Sequence, residues 1–93
     1  MHMTHEEMTR ILNLLDEVWD KVASRQRWKE SSDPYEHIYV DIEPIDYDGD
    51  QIDSVLVFAE GTIEFHLKNE KDALNWTYFP EDICKEVIKR MCK

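Results

Sequence analysis

The sequence predicts an α+β fold of two layers. A four-stranded antiparallel meander carries the N- and C-terminal helices on one face, in the order α-β-β-β-β-α. Two observations point there. Apolar residues recur at three- and four-residue spacing at both ends of the chain, which is the helical period. Between the ends they recur at every second position in short runs bounded by Gly, Pro and Asp, which is the strand period with its turns. Ninety-three residues suit one domain with one core, so residues 1–93 are read as a single domain. Met1-His2-Met3 is read as a disordered start or a cloning remnant outside the fold.

Thr4-His5-Glu6-Glu7 has the form of a capping box: a threonine hydroxyl can accept from the N–H three residues on, while a glutamate there reaches back. Met8, Ile11, Leu12, Leu15, Val18, Trp19 and Val22 follow as an amphipathic stripe, with Leu14 beside it and no breaker before Arg27. Arg25, Arg27 and Lys29 around Trp28 read as favourable charge at a helix C-terminus, with Trp28 folding back on the core. Ser31-Ser32-Asp33-Pro34 reads as a loop.

Ile38, Val40 and Ile42 alternate with Tyr39, Asp41 and Glu43 as a half-buried first strand ended by Pro44. The segment from Ile52 to Ala59 is apolar on both sides, the mark of a strand inside the sheet. A two-residue Glu60-Gly61 turn then leads into Thr62–Leu67, pairing Phe58 with Ile63 and Leu56 with Phe65. An odd loop, Asp48-Gly49-Asp50, brings Ile38, Val40 and Ile42 to the Phe58 side. A strict two-residue Asp48-Gly49 turn would place them with Val55 and Val57, because a one-residue slip exchanges faces. Leu74, Trp76 and Tyr78 alternate as a fourth strand. Pro80, Glu81 and Asp82 open a last helix whose stripe is Ile83, Cys84, Val87, Ile88 and Met91. Cys84 and Cys92 are eight residues apart on it, about 12 Å along the axis, too far for a disulfide.

Charge is the functional signal. Glu30 to Leu67 holds eleven carboxylates and no Lys or Arg, while the remaining 55 residues carry ten acids and eleven bases, so −11 and +1 make the net −10. No span of the chain is apolar for long enough to cross a bilayer and no signal-peptide h-region is present, which suggests a cytoplasmic protein with no membrane partner. Direct nucleic-acid binding is not expected, since phosphate contacts dominate it. Asp46, Asp48 and Asp50 alternate like a calcium loop, but the glycine falls fourth, Val57 stands where the twelfth-position Glu belongs, and the flanks read as strands. No metal site and no cofactor are expected. His37 and His66 are isolated, and no nucleophile-bearing loop accompanies them. No catalytic residues and no enzyme are expected.

Tyr39, Asp41, Glu43, Asp53, Val55, Val57, Glu64 and His66 are expected to look outward together as a binding face. Such a face supplies steering charge, and its Tyr and Val supply short-range contact. The expected role is a non-catalytic inhibitor that docks an acidic sheet on the basic, nucleic-acid-binding surface of a protein partner, acting as a DNA mimic. In size and acidity the chain is similar to small antagonists of phages and toxin–immunity systems, a likeness that no motif carries. The alternative is an adaptor or chaperone-like module that uses a sheet edge or helix groove. Either suits a monomer or a homodimer.

Overall fold

The capping box forms: Glu7 N donates to Thr4 Oγ1 at 3.2 Å and Thr4 N donates to Glu7 Oε1 at 2.9 Å. Helix α1 (His5–Ala23) follows it. The structure, a computed structural model, describes residues 3–23 and 36–92. The Arg25–Lys29 cluster with Trp28, the loop at Ser31–Pro34, and any extension of α1 toward Arg27 lie outside the described residues, as does the side chain of Val22. Met3 is buried in the core, not part of a free start. Four strands follow, β1 (His37–Tyr47), β2 (Asp50–Phe58), β3 (Ile63–Leu67) and β4 (Leu74–Asn75), and then α2 (Glu81–Met91). They form one antiparallel sheet in the order β1-β2-β3-β4. Among the described residues no helix is long and apolar enough to cross a membrane.

Both turns flanking β2 differ from expectation, each by one residue. Tyr47 pairs with Asp50, so the first turn is the strict two-residue Asp48-Gly49. Both residues have positive φ, 50° and 77°, the combination that matches the twist of a hairpin. The second turn has three residues. Phe58 N donates to Thr62 O and Gly61 N donates to Phe58 O, both at 3.0 Å, with Gly61 at φ 104° in a conformation that glycine adopts without strain. Val57 therefore pairs with Ile63 and Val55 with Phe65, displacing the expected Phe58–Ile63 and Leu56–Phe65 pairs.

The two differences compensate everywhere except in β2. Ile38 and Val40 share a face with Ile63, Phe65 and Leu67 as expected, but β2 is turned over between them. Val55 and Val57 are 0% exposed within the core, and Leu56 and Phe58 stand apart from the core cluster on the other face. The core joins that sheet face to Ile11 and Leu15 of α1 and to Cys84, Val87, Ile88 and Met91 of α2. Both helices thus cover one side of the sheet.

Smaller differences have local causes. Asn75 Oδ1 accepts from Thr77 N at 3.0 Å and from Thr77 Oγ1 at 2.8 Å. A side chain that bonds the backbone two residues on favours a turn. The fourth strand accordingly stops at Asn75, and a 3-10 turn (Trp76–Tyr78) replaces its continuation. That turn buries Trp76 and Phe79 while leaving Leu74 and Tyr78 exposed. Phe79 lies 4.9 Å from Phe65 and 5.2 Å from Tyr47 between ring centroids. Leu12, expected in the stripe, is 50% exposed, because Ile11 and Leu15 already fill the seam. Pro80 is the N-cap of α2 and not its first helical residue. Cys84 and Cys92 are free thiols. The Cys84 thiol lies 3.3 Å from Trp76 O as donor, and burial pushes its pKa up to about 12, so it stays protonated.

A fork of hydrogen bonds ties the helices. Arg10 Nε and Nη2 donate to Glu81 Oε1 and Oε2 at 2.9 and 2.7 Å, and Lys85 Nζ lies 2.8 Å from Oε1. The bonds from Arg10, then those from Lys85, lower the Glu81 carboxyl from 4.5 to about 2.

Two outcomes follow from this packing. Phe79→Ala should cost roughly 3–5 kcal/mol in denaturant unfolding, and Phe58→Ala clearly less; equal losses would mean that β2 faces the other way. Because folding depresses the Glu81 pKa, its stabilisation is complete above about pH 4.5 and is lost as pH falls toward about 2. Wild type should therefore lose stability more steeply than Glu81→Gln over that interval. Parallel unfolding midpoints would dismiss the ion pair as a contributor.

Candidate functional site

The face of the sheet away from the helices is built in cross-strand rows. Antiparallel pairing sets side chains of opposed residues on the same side, about 5 Å apart. His37 pairs with Phe58; Tyr39 with Leu56, then Glu64 and Asn75; Asp41 with Ser54, then His66. Successive rows lie about 6.6 Å apart along the strands. Toward the β2–β3 turn the rows are aromatic: the His37 ring sits 5.5 Å from Tyr39 and 5.0 Å from Phe58. Toward the Asp48-Gly49 turn they become acidic.

Paired irregularities shape the acidic end. Against β3, Ile52 pairs with Leu67 and Ser54 with His66, so β2 holds one extra residue, Asp53. Against β1, Ile42, Glu43 and Pro44 stand opposite Asp53 alone. Bulges of this kind bend a strand and re-aim side chains. Here Ile52 and Val55 both face the core, and Asp53 emerges next to His66, with Oδ1 3.6 Å from Nδ1. Pro44, which has no N–H to offer a ladder, falls inside the bulge, where that loss is harmless. The bulged carbonyls do not go unsatisfied. Arg90 Nη1 donates to Glu43 O at 2.7 Å and to Pro44 O at 2.8 Å, while its Nε donates to Glu86 Oε1 at 2.9 Å. One arginine of α2 thereby holds the backbone that presents Glu43.

Six of the eight residues expected on this face lie on it or at its margin. Tyr39 is 65% exposed, Asp41 and Glu43 are exposed, and Asp53, Glu64 and His66 are half-buried. Val55 and Val57 are not part of it, since the three-residue turn after Phe58 sends them into the core. His37, Leu56 and Phe58 occupy the places given to the valines. Leu56 is only 7% exposed, in a row between the taller Tyr39 and Glu64. The signal for this exchange lies in Asp48-Gly49, a strong two-residue hairpin dipeptide, and in the glycine closing Ala59-Glu60-Gly61, which marks a three-residue loop.

Ser54, His66 and Asp53 are the three residue types of a hydrolytic triad. The Ser54 hydroxyl, however, approaches Asp53 Oδ1 at 3.5 Å and not the imidazole, so the serine–histidine bond that would activate it is not formed. The acids at the hairpin tip serve the turn itself. Asp50 accepts from Gln51 N at 2.8 Å and from Asn69 N and Nδ2 at 3.2 and 2.9 Å, and Asp46 accepts from Gln51 Nε2 at 3.0 Å. Comparison with family models, curated proteins and solved structures finds no match.

Arg90→Ala should lower stability by about 1–2 kcal/mol, the scale for hydrogen bonds from a charged donor to partly exposed carbonyls. Arg90→Lys should recover only part of it, because a point charge does not reproduce a planar fork. Urea unfolding measures both; an unaffected Arg90→Ala would show that the bulge supports itself.

Proposed function

We propose that this chain is a small non-catalytic protein-binding domain that docks its open sheet face on a basic surface of a protein partner. The observation that carries the reading is the composition of that face. Tyr39 and Phe58 make its aromatic end with Leu56 packed between the strands, Glu64 stands in the Tyr39 row, Asp41, Glu43 and Asp53 stand toward the Asp48-Gly49 turn, and the strands that build it from His37 to Leu67 hold no Lys or Arg. A surface kept merely soluble ordinarily mixes both signs of charge. An array of carboxylates with no base among them resembles a phosphate backbone in charge, so the partner surface is one that otherwise handles nucleic acid, and occupying it would inhibit the partner. Charge of this kind mainly accelerates encounter, and the aromatic end determines how long the complex lasts.

Charge reversal separates a docking face from bulk charge. Asp41→Lys with Glu43→Lys should leave the fold intact and suppress capture of basic proteins from a host lysate at low salt, with the loss concentrated in the association rate. Glu6→Lys with Glu17→Lys makes the same change in net charge on the exposed side of α1 and should retain capture. If both doubles lose it alike, only net charge matters; if neither does, the open face is not the docking surface.

A further inference from the structure

The sheet has two outer strands among the described residues, and they differ. β4 is two residues long, too short to template another chain. β1 is eleven residues long, and the ladder shows which of its backbone groups are committed. Ala59 N donates to Glu36 O at 2.8 Å, in register with the pairs Ile38–Val57 and Val40–Val55. Hydrogen-bonded and non-bonded pairs alternate along an antiparallel ladder, so Ile38 and Val40 bond to β2. The N–H and C=O groups of Tyr39 and Asp41 point away from it. Beyond Asp41 the bulge and Arg90 close the edge.

Among the described residues no strand pairs with this stretch, and its side chains specify an occupant. On the core side Ile38 and Val40 are half-buried, although their partners Val57 and Val55 are fully buried; aliphatic side chains on an added strand would cover them. On the open side stand Tyr39, Asp41 and Glu43. A second copy of this chain paired edge to edge would bring four carboxylates from Asp41 and Glu43 together with no Lys or Arg on either strand. Like charges placed across strands are destabilising. A partner strand with Lys or Arg at alternate positions meets the same carboxylates favourably.

We propose that the β1 edge at Tyr39–Asp41 accepts an extended segment of the protein partner as a fifth, antiparallel strand, with basic side chains on the open face alternating with aliphatic ones on the core side. This rests on the reading of the open face as a docking surface and names the form in which its partner arrives. Main-chain hydrogen bonds supply affinity in this mode, and alternate side chains supply specificity.

The test uses the intact protein and a short peptide alternating lysine and valine, in three forms: unmodified, N-methylated at every lysine, and N-methylated at every valine. In a hydrogen-bonded antiparallel pair, opposed residues share a face, so the residues whose N–H groups reach β1 are the lysines. The unmodified and valine-methylated peptides should bind, shifting the Tyr39 and Asp41 amide resonances and slowing their hydrogen exchange. Methylation at the lysines should weaken binding about tenfold or more, the change expected from losing two backbone hydrogen bonds. Equal binding of all three peptides, with shifts confined to side chains of the open face, would overturn strand addition and leave the charged face standing. Failure of every peptide to bind at low salt would overturn the edge and the face together.

Discussion

The orientation of β2 is the constraint on which the rest depends. This strand is apolar on both sides, and either side could have closed the core. Burying a valine, leucine or phenylalanine contributes about 1.5–3 kcal/mol, so the Val55/Val57 and Leu56/Phe58 pairs are too alike for burial alone to choose. Backbone geometry at the two ends makes the choice. Asp48 and Gly49 adopt the paired positive φ of a two-residue hairpin, and Gly61 the single positive φ that ends a three-residue one. With both turns made, Val57 meets Ile38 and Ile63, Val55 meets Val40 and Phe65, and the helices pack on that side.

What remains outside is a consequence of the same choice. Leu56 and Phe58 stay beside Tyr39 and His37, so the acidic face acquires an aromatic end in place of two small valines. An entirely charged face would attract a partner without retaining it. In the proposed docking, the long-range field of the acids and the short-range contact of the aromatic rows would act at different stages of association. The aromatic and acidic rows are segregated toward opposite ends of the same strands.

The bulges at Ile42–Pro44 and at Asp53 connect the fold to this surface. They let Ile45 and Ile52 return to the core while Glu43 and Asp53 remain outside. The distortion exposes carbonyls that a regular ladder would have used, and Arg90 satisfies them from α2. The helix that closes the core therefore also holds the edge of the open face, so truncation of α2 would be felt on both sides of the sheet.

By itself the sequence determined the α-β-β-β-β-α order, the capping box, the inward residues of α2, and the concentration of negative charge in the middle of the chain. Those features are local: periodicity, a short capping motif and composition need no knowledge of distant contacts. It also set Tyr39, Asp41, Glu43, Glu64 and His66 on the outward side of their strands, because those strands have one apolar side each. The position of Asp53 depended on a bulge that periodicity does not reveal. Periodicity could not place Val55 and Val57 against Leu56 and Phe58, since a strand apolar on both sides carries no amphipathic signal and its facing rests on turn lengths that differ by one residue. Only the tertiary structure decided that, through the two glycine-containing turns and the packing of both helices on the side they expose.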